Sequence, residues 1–266
     1  MTRISKEIKE AGADFKKVFT SIPIWSALGW NDVQGRYNRS KLGVFWASLS
    51  ILIFVSAIGP IYSTLFGADL KYFMLHLMLG LIVWNYIQAI IMESGRVYIN
   101  SANYMVSFQL SFFTVLARVV WRNLIVFSYQ LLMFFLLAFA FNFDASSSWL
   151  LLPVIMLVIT ICVLWIGLLM SIFATRYRDI IELVNNLLRL GFFATPIMWM
   201  PSSKPSLMQI AMYNPFYHII ELLRAPLLSG EVDLLNWKIS LAVAIAGWIV
   251  AFPLFAKFRR RIAYWI

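Results

Sequence analysis

The feature that most constrains this chain is a series of long apolar runs separated by short polar or basic segments. Between Gly43 and Ala68, for example, the sequence contains no charged residue. A helix needs about 20 predominantly apolar residues to cross the hydrocarbon core of a bilayer. Hydrophobic residues make up 62% of the chain and charged residues 13%, whereas soluble domains average about 25% charged residues. The sequence therefore predicts an integral membrane protein and argues against a soluble globular domain.

The apolar runs are numerous enough for six transmembrane helices, so we predict an all-α integral membrane fold. The predicted spans cover residues 43–66, 72–92, 123–143, 149–174, 181–200 and 239–256. This reading divides the chain into three regions. We expect amphipathic and interfacial helices over 1–42, a six-span transmembrane domain over 43–256, and a basic tail over 257–266.

The positions of Lys and Arg predict the orientation of these spans. Eight of them precede residue 43, three lie in 93–122, three in 172–189, and four follow residue 256, whereas the remaining connections hold four. An excess of Lys and Arg marks the cytoplasmic side of a membrane protein. We therefore expect both termini in the cytoplasm, which requires an even number of spans.

The N-terminal region is predicted to hold two helices at the membrane surface. Residues 4–19 carry apolar side chains at helical spacing among lysines and acidic residues, which indicates an amphipathic helix on a membrane or a partner. A second helix over about 23–41 places Trp25 and Trp30 at headgroup depth. This helix leads to the first span through a basic, aromatic stretch that contains Arg36, Arg39, Lys41 and Trp46.

The connection over 201–238 is broken at Asn214-Pro215, and a helix is predicted after the break. Apolar side chains follow one face of this helix, and the opposite face carries Tyr217, His218, Glu221 and Arg224. The helix is too short and too charged to cross a bilayer. Two placements stay open: an interfacial helix on the outer surface, or a re-entrant gate helix covered by protein or by a water-filled cavity.

The chain lacks the usual residues for ATP hydrolysis and for metal binding. No Gly-Lys pair is present, so the phosphate-binding loop of P-loop ATPases is absent. Two histidines lie far apart, without cysteine or carboxylate clusters at the spacing of metal ligands. Asp179 and Glu182 lie beside Arg176 and Arg178, a pattern that favours a salt-bridged loop over a catalytic pair. We therefore predict no catalytic residue and no metal site.

Charged residues within the spans are almost absent, and Arg189 is the exception. The neighbouring apolar residues offset the free-energy cost of inserting an arginine into the membrane. Its guanidinium either extends to the lipid headgroups or contacts an anionic substrate in a cavity. Aromatic residues make up 17% of the chain. Flat aromatic faces stack on the C–H faces of sugars, so some of these residues are candidates for the lining of a substrate path.

Four stretches resemble the ABC-2 type exporter permeases, especially those that export polysaccharides such as O-antigen, capsule and teichoic acid. They occur in the order and spacing of that family: QGRYNRSKLGVFW at 34–46, RYRDI at 176–180, FFATPIMW at 192–199, and YNPFYHIIELLRAPLLSG at 213–230. One position departs from the pattern, because Val44 stands where many members have proline. We expect this difference to affect the angle at which the first span enters the membrane.

The resemblance implies a half-transporter. Two copies of the chain would pair around a central path, and two separate ATP-binding cassette subunits would dock on the cytoplasmic side. ATP and Mg would bind in those subunits, with no cofactor in this chain. The implied function is export of a lipid-linked polysaccharide, O-antigen-like or of capsule or teichoic type, across the bacterial inner membrane. The alternatives are an ABC-2 exporter of a drug or a lipid and, at lower weight, a membrane-embedded transferase.

The resemblance, combined with the residue pattern, also assigns roles along the chain. The expected contacts with the ATPase are Trp25, Trp30, Asp32, Ser101, Asn103 and Tyr104. The expected substrate entrance is formed by Arg36, Arg39, Lys41 and Trp46. The expected substrate path contains Trp84, Tyr86, Tyr98, Trp121 and Arg189. The expected outer gate, within 206–229, contains Tyr217, His218, Glu221 and Arg224.

Overall fold

A computed structural model describes residues 3–38, 40–144, 146–201 and 205–266, so Arg39 lies outside the described residues. The described chain is helical and contains no β-strand, which confirms the all-α prediction. A short 3-10 helix, Ser147–Leu151, lies between two of the long helices. The α-helices in the described residues are α1 (Arg3–Thr20), α2 (Ile22–Tyr37), α3 (Phe45–Phe66), α4 (Leu70–Ser94), α5 (Val97–Asn100), α6 (Ala102–Ser107), α7 (Phe112–Ala140), α8 (Leu152–Arg176), α9 (Asp179–Ala194), α10 (Pro205–Met212), α11 (Pro215–Leu228) and α12 (Leu234–Trp265).

Local sequence signals set where several helices begin and end. Asp69 begins α4 by accepting a hydrogen bond from the backbone N–H of Tyr72 at 2.9 Å. Such a side-chain cap stabilises a helix by about 1 kcal/mol. Gly67 ends α3 with a φ of 63°, a left-handed conformation that strains other residues. Side chains of the same kind cap the starts of α7, α11 and α12, at Ser111, Asn214 and Asp233.

Helix α4 is the centre of the bundle. Its most apolar window is 83% buried, compared with 22% for the corresponding window of α3. It packs against α3, α7, α8, α9 and α11. The main apolar core surrounds α4, and a second core lies between α1, the start of α7 and the end of α12.

Helix α2 lies at one end of the bundle and α11 at the other, so we call these the α2 end and the α11 end. Helix α4 finishes at the α2 end, where Glu93 pairs with Arg36 of α2 at 2.7 Å. Near the end of α12, Arg259 pairs with Asp14 of α1, with Nε and Oδ2 2.5 Å apart. Helix α1 therefore meets the end of α12, and the packing of Phe15 against Phe113 near the start of α7 places this contact at the α2 end.

Helix α11 runs antiparallel to α4 and reaches into the bundle. Phe216, near its start, packs edge-on against Trp84 with ring centroids 5.5 Å apart. Trp84 lies 14 residues beyond the start of α4, which is about 21 Å along the helix axis. Further along α11, Arg224 lies against Gly80, and Leu228 lines the same cavity as Tyr72. Ten of the 14 residues of α11 are buried.

Five helices of the described chain are long and apolar enough to cross a membrane: α3, α4, α7, α12, and the 3-10 helix together with α8. They correspond to five of the six predicted spans, with two corrections to the boundaries. Helix α7 begins at Phe112 instead of 123, because Arg118 and Arg122 near its start are held in ion pairs. Helix α12 continues through the predicted tail, because Arg259 and Arg260 pair with acidic residues of α1.

The predicted span over 181–200 is not one long helix. Helix α9 contains 16 residues and ends at Ala194. Thr195 is extended, with ψ of 138°, because the residue before a proline avoids the helical conformation, and Pro196 follows. Turns then continue to Met200 at the α11 end. The amide of Asn214, at the start of α11, donates to Thr195 Oγ1 at 2.9 Å and fixes the end of α9 beside α11.

Candidate functional site

A large cavity, with a volume of about 850 Å³, lies against the C-terminal half of α4. Its walls come from α3, α4, α7 and α9, with contributions from α2 and from the turns after α9. Its lining combines apolar side chains with polar ones from several helices. The polar and cationic lining residues are Arg36, Ser50, Asn85, Gln88, Asn123, Gln130 and Arg189.

Two predicted path aromatics, Trp84 and Tyr86, line this cavity. The Trp84 ring lies between Phe192 of α9 and Phe216 of α11, at 5.9 and 5.5 Å. The Tyr86 hydroxyl lies 2.7 Å from Thr160 Oγ1 of α8, so the tyrosine is fixed in place. These contacts hold both rings in defined positions and cover them almost completely, since Trp84 is 2% and Tyr86 3% exposed.

Two arginines contribute positive charge to the cavity. Arg189 of α9 is exposed and lines the wall, seven residues beyond Glu182. Arg36 lies where the cavity meets the α2 end, and it also lines a second, more polar cavity of about 470 Å³. An anionic group that enters from the α2 end would therefore meet Arg36 first and then the polar wall.

Arg36 is the outermost member of a chain of ion pairs that joins α2, α4 and α7, which we call the ion-pair ladder. Arg36 Nη2 donates to Glu93 Oε1 at 2.7 Å, and Arg122 Nη2 donates to Glu93 Oε2 at 2.5 Å. Asp32 accepts from Arg122 Nη1 at 2.8 Å. Arg118 donates to both oxygens of Asp32, through Nε at 2.7 Å and Nη2 at 2.5 Å. Arg36 is exposed, whereas Asp32, Glu93, Arg118 and Arg122 are largely shielded from solvent, so loss of one charge among these four leaves its partner uncompensated.

The predicted ATPase contacts are distributed around this ladder at the α2 end. Trp30, Asn103 and Tyr104 are exposed, and Ser101 is buried. Trp25 is half-buried and packs edge-on against Trp121. Asp32 belongs to the ladder, and the Arg118 guanidinium lies 4.8 Å from the centre of the Tyr104 ring. The exposed members form a surface on α2 and α6 that is attached directly to the ladder.

Some predicted entrance and path residues lie apart from the cavity. Lys41 and Trp46 are exposed but do not line it, and Arg39 lies outside the described residues. Tyr98 is fully buried in the second apolar core, with its ring 5.0 Å from that of Phe112. Trp121 instead packs against α2. The structure therefore groups Arg36, Trp84, Tyr86 and Arg189 at the cavity and separates the others from it.

The predicted gate residues form contacts that anchor α11. His218 Nδ1 lies 2.6 Å from Asn236 Oδ1 of α12, and its Nε2 lies 2.9 Å from the Met212 carbonyl oxygen. Arg224 Nη1 donates to Glu221 Oε1 at 2.8 Å and to the carbonyl oxygen of Pro196 at 3.0 Å. These bonds tie α11 to α10, to α12 and to the turn after α9.

A family model described as ABC-2 type transporter matches residues 24–228, a range that contains every residue lining the large cavity. The chain belongs to the ABC-2 type transporter family. This membership confirms the resemblance read from the four sequence stretches. It also assigns the chain to transport proteins, as predicted, and not to enzymes.

A relative that is named for its function supports the same family. An O-antigen export system permease protein of Myxococcus xanthus, RfbA, is 21% identical over 168 residues. The match covers 63% of this chain and 65% of the relative, so it spans slightly less than two thirds of that protein.

Sequence reasoning missed several residues of this ABC-2 type chain that the structure brings together. The sequence analysis assigned Glu93, Arg118 and Arg122 to no predicted span and to no site, whereas they form most of the ladder. A signal was available, because Arg118 and Arg122 are four residues apart and therefore share one helix face. The polar cavity residues Asn85, Gln88, Asn123 and Gln130 lie in two of the predicted spans, and the sequence does not show that these amides face the same cavity.

Proposed function

We propose that this chain is the permease subunit of an ABC transporter that exports a lipid-linked polysaccharide across the bacterial inner membrane. The observation that carries the proposal is the large cavity of about 850 Å³, whose lining combines the exposed rings of Phe54 and Phe193 with amides and two arginines. Aromatic surfaces suit the C–H faces of sugar rings, and amides suit their hydroxyls. The relative named for O-antigen export supports this substrate class over a drug or a lipid.

The proposed topology has six crossings with both termini in the cytoplasm. Five crossings are made by the long apolar helices, and the sixth by α9 with the turns over 195–200. The ion pair of Arg259 with Asp14 supports it, because α1 and the end of α12 meet at one end of the bundle. The proposed regions are cytoplasmic and interfacial helices over 1–42, the transmembrane domain over 43–256, and a basic cytoplasmic segment over 257–266 that continues α12.

Two copies of the chain and two ATPase subunits make up the proposed transporter, and ATP and Mg bind in the ATPase subunits. The exposed side chains of α2 and α6 are the proposed docking surface, with Trp30, Asn103 and Tyr104 in contact. Movement of α2 reaches α4 and α7 through the ladder, because Asp32 and Arg36 hold those helices directly. ATP binding in the partner then changes the width of the cavity between α3, α4, α7 and α9.

The proposed path begins at the cytoplasmic leaflet and ends at α11. Arg36, together with Arg39 and Lys41, attracts the pyrophosphate of the lipid-linked glycan, and Arg189 contacts anionic groups deeper in the cavity. Helix α11 is the proposed outer gate. Two observations support its re-entrant position: Phe216 contacts Trp84, and neighbouring helices cover α11.

Deletion of the gene, followed by location of the surface glycan, tests the proposal. We expect lipid-linked polymer to accumulate on the cytoplasmic side and to reach the surface again when the wild-type chain is restored. A normal surface glycan in the deletion strain would overturn polysaccharide export. Lost efflux of an apolar drug or a lipid with an unchanged glycan would instead assign the chain to the other class of ABC-2 exporter.

A further inference from the structure

The last turns of α8 and α12 carry a group of cations and aromatic rings, which we call the cation-aromatic cluster. Its members are Arg176 of α8 and Lys257, Phe258, Arg261 and Trp265 of α12. Residues 239–256 of α12 carry no charge and form about 27 Å of helix, close to the thickness of about 30 Å of a hydrocarbon core. The turns that follow therefore lie at the depth of the lipid headgroups, at the α2 end of the bundle.

The three cations of the cluster surround one pair of aromatic rings. The rings of Phe258 and Trp265 lie 5.9 Å apart. The Arg176 guanidinium lies 5.7 Å from the centre of the Trp265 ring. The Arg261 guanidinium and the Lys257 ammonium lie 5.7 and 5.8 Å from the centre of the Phe258 ring. Lys257, Arg261 and Trp265 follow one another at four-residue spacing, so they share one face of α12, and Arg176 of α8 joins them there.

The positive charge of this cluster is accessible and has no counter-charge in contact with it. Arg176, Lys257 and Arg261 are exposed, and none of them forms an ion pair with a carboxylate of the described residues. The two arginines between them in α12, Arg259 and Arg260, pair with acidic residues of α1 instead. An aromatic ring attracts a cation but carries no net charge, so the ring contacts leave three positive charges at the surface.

Depth and charge together select the kind of ligand. Phospholipid phosphates lie at the depth of these turns, and guanidinium groups donate to phosphate oxygens through paired N–H bonds. A zwitterionic headgroup also carries an ammonium group, which the three cations repel, whereas an anionic headgroup carries no cation. The exposed neighbours Arg178 and Asp179 contribute one charge of each sign and leave the excess of positive charge unchanged. The cluster therefore favours lipids with a net negative charge.

We propose that the cation-aromatic cluster binds a resident anionic phospholipid, such as phosphatidylglycerol or cardiolipin, in the leaflet at the α2 end. Arg176 donates to phosphate oxygens from α8 and Arg261 from α12, and Lys257 adds a third positive charge. A lipid held in this way connects the ends of the two helices. It is separate from the exported substrate, because no residue of the cluster lines the large cavity. The inference depends on the membrane placement of α8 and α12 and not on what the chain exports.

Native mass spectrometry of the purified complex of this chain with its ATPase tests the proposal. The complex is titrated in detergent with phosphatidylglycerol, cardiolipin or phosphatidylcholine, each added alone. We expect the first anionic lipid to bind at least about tenfold more tightly than phosphatidylcholine, since three cations contribute.

Variants of single cations locate the site. Arg176→Gln and Arg261→Gln should each weaken binding of the anionic lipids about fivefold, as the contribution of one cation near a headgroup implies. Arg260→Gln is the matched control, because it removes a neighbouring arginine of α12 that is paired with Glu10, and it should leave the affinity nearly unchanged. Arg261→Lys keeps the charge and should retain most of the affinity.

Several results would overturn the lipid site. Equal affinities for phosphatidylglycerol and phosphatidylcholine would do so, as would an anionic preference that survives both glutamine changes. Equal losses in Arg260→Gln and Arg261→Gln, or in Arg261→Lys and Arg261→Gln, would show that the cluster is not a defined anion site. Loss of the ATPase from Arg261→Gln with the lipid preference intact would assign the cluster to ATPase docking. Displacement of phosphatidylglycerol by a polyprenyl pyrophosphate would assign it to the substrate.

Discussion

Asp32 and Arg118 are 86 residues apart in the sequence, yet they form a two-point ion pair, with N–O distances of 2.7 and 2.5 Å. This pair joins α2 to α7, a helix long enough to cross the membrane. Arg122 extends the connection from the same aspartate to Glu93 of α4. The position of α2 is therefore coupled to the two helices that form a large part of the cavity wall.

Asp32→Asn should destabilise the chain and weaken coupling to the ATPase. The change leaves Arg118 and Arg122 without their shared carboxylate, and we expect a loss of about 1–3 kcal/mol, less than for a fully buried pair. Thermal unfolding in detergent and the ATPase rate of the complex measure the two effects. Asp144→Asn, at an exposed loop residue, is the matched control. Equal stability of the two variants would show that the ladder contributes nothing.

Arg36 is predicted to act both on the substrate and within the ladder, and two variants separate these roles. Glu93→Gln removes the ladder contact and leaves the Arg36 charge at the cavity, whereas Arg36→Gln removes both. We therefore expect Arg36→Gln to reduce glycan export more than Glu93→Gln does at equal assembly with the ATPase. Arg36→Lys should restore part of the export. Equal defects in both glutamine variants would assign Arg36 to coupling alone.

Ser50→Trp should block the large cavity. Ser50 lines it from α3, is exposed, and donates to the carbonyl oxygen four residues earlier, so an indole there narrows the space without overpacking a core. We expect export to fall at least about tenfold, a barrier of about 1.4 kcal/mol, at unchanged expression. Ser128→Trp is the control, because Ser128 makes the same backbone bond on α7 outside the cavity. Normal export by Ser50→Trp would remove the cavity from the path.

The contact between α1 and α12 is predicted to depend on Arg259 and on acid pH. Arg259→Gln removes the pair with Asp14 and should increase hydrogen exchange in α1, whereas Arg261→Gln should not. The hydrogen bond from Arg260 holds the pKa of Glu10 below its ordinary value of 4.5. Because the folded pKa is depressed, the contribution of Glu10 is present above pH 4.5 and is lost as pH falls through the lower value. Protection of the α1 amides relative to their intrinsic exchange rates that stays constant below pH 4.5 would contradict this assignment.

His218→Ala is expected to loosen α11. It removes both ring contacts and leaves Asn236, which is 5% exposed, without that partner. A buried polar group that loses its bond costs about 1–3 kcal/mol, so the Tm in detergent should fall. His218→Gln should recover part of the loss by bonding one of the two partners. A Tm equal to that of the wild type would place the anchoring of α11 elsewhere.

The spans were largely predictable because each depends on a local run of apolar residues. Helix α9 was the exception, since Thr195 and Pro196 end it before it is long enough. The ladder was not predictable, because the sequence does not show which of the many charged residues pair with Asp32, Arg118 and Glu93 in the fold. Tyr98 and Trp121 lie apart from the cavity for a related reason: aromatic character does not distinguish a packing residue from one that lines a cavity.

Site-specific photo-crosslinking tests most directly whether the large cavity is the glycan path. A benzophenone amino acid is introduced at position 50 or at position 128, in cells whose lipid-linked glycan is radiolabelled. The account predicts a labelled crosslink from position 50 that requires an active ATPase, and none from position 128. Crosslinks from neither position, or equal crosslinks from both, would contradict the assignment of this cavity as the path.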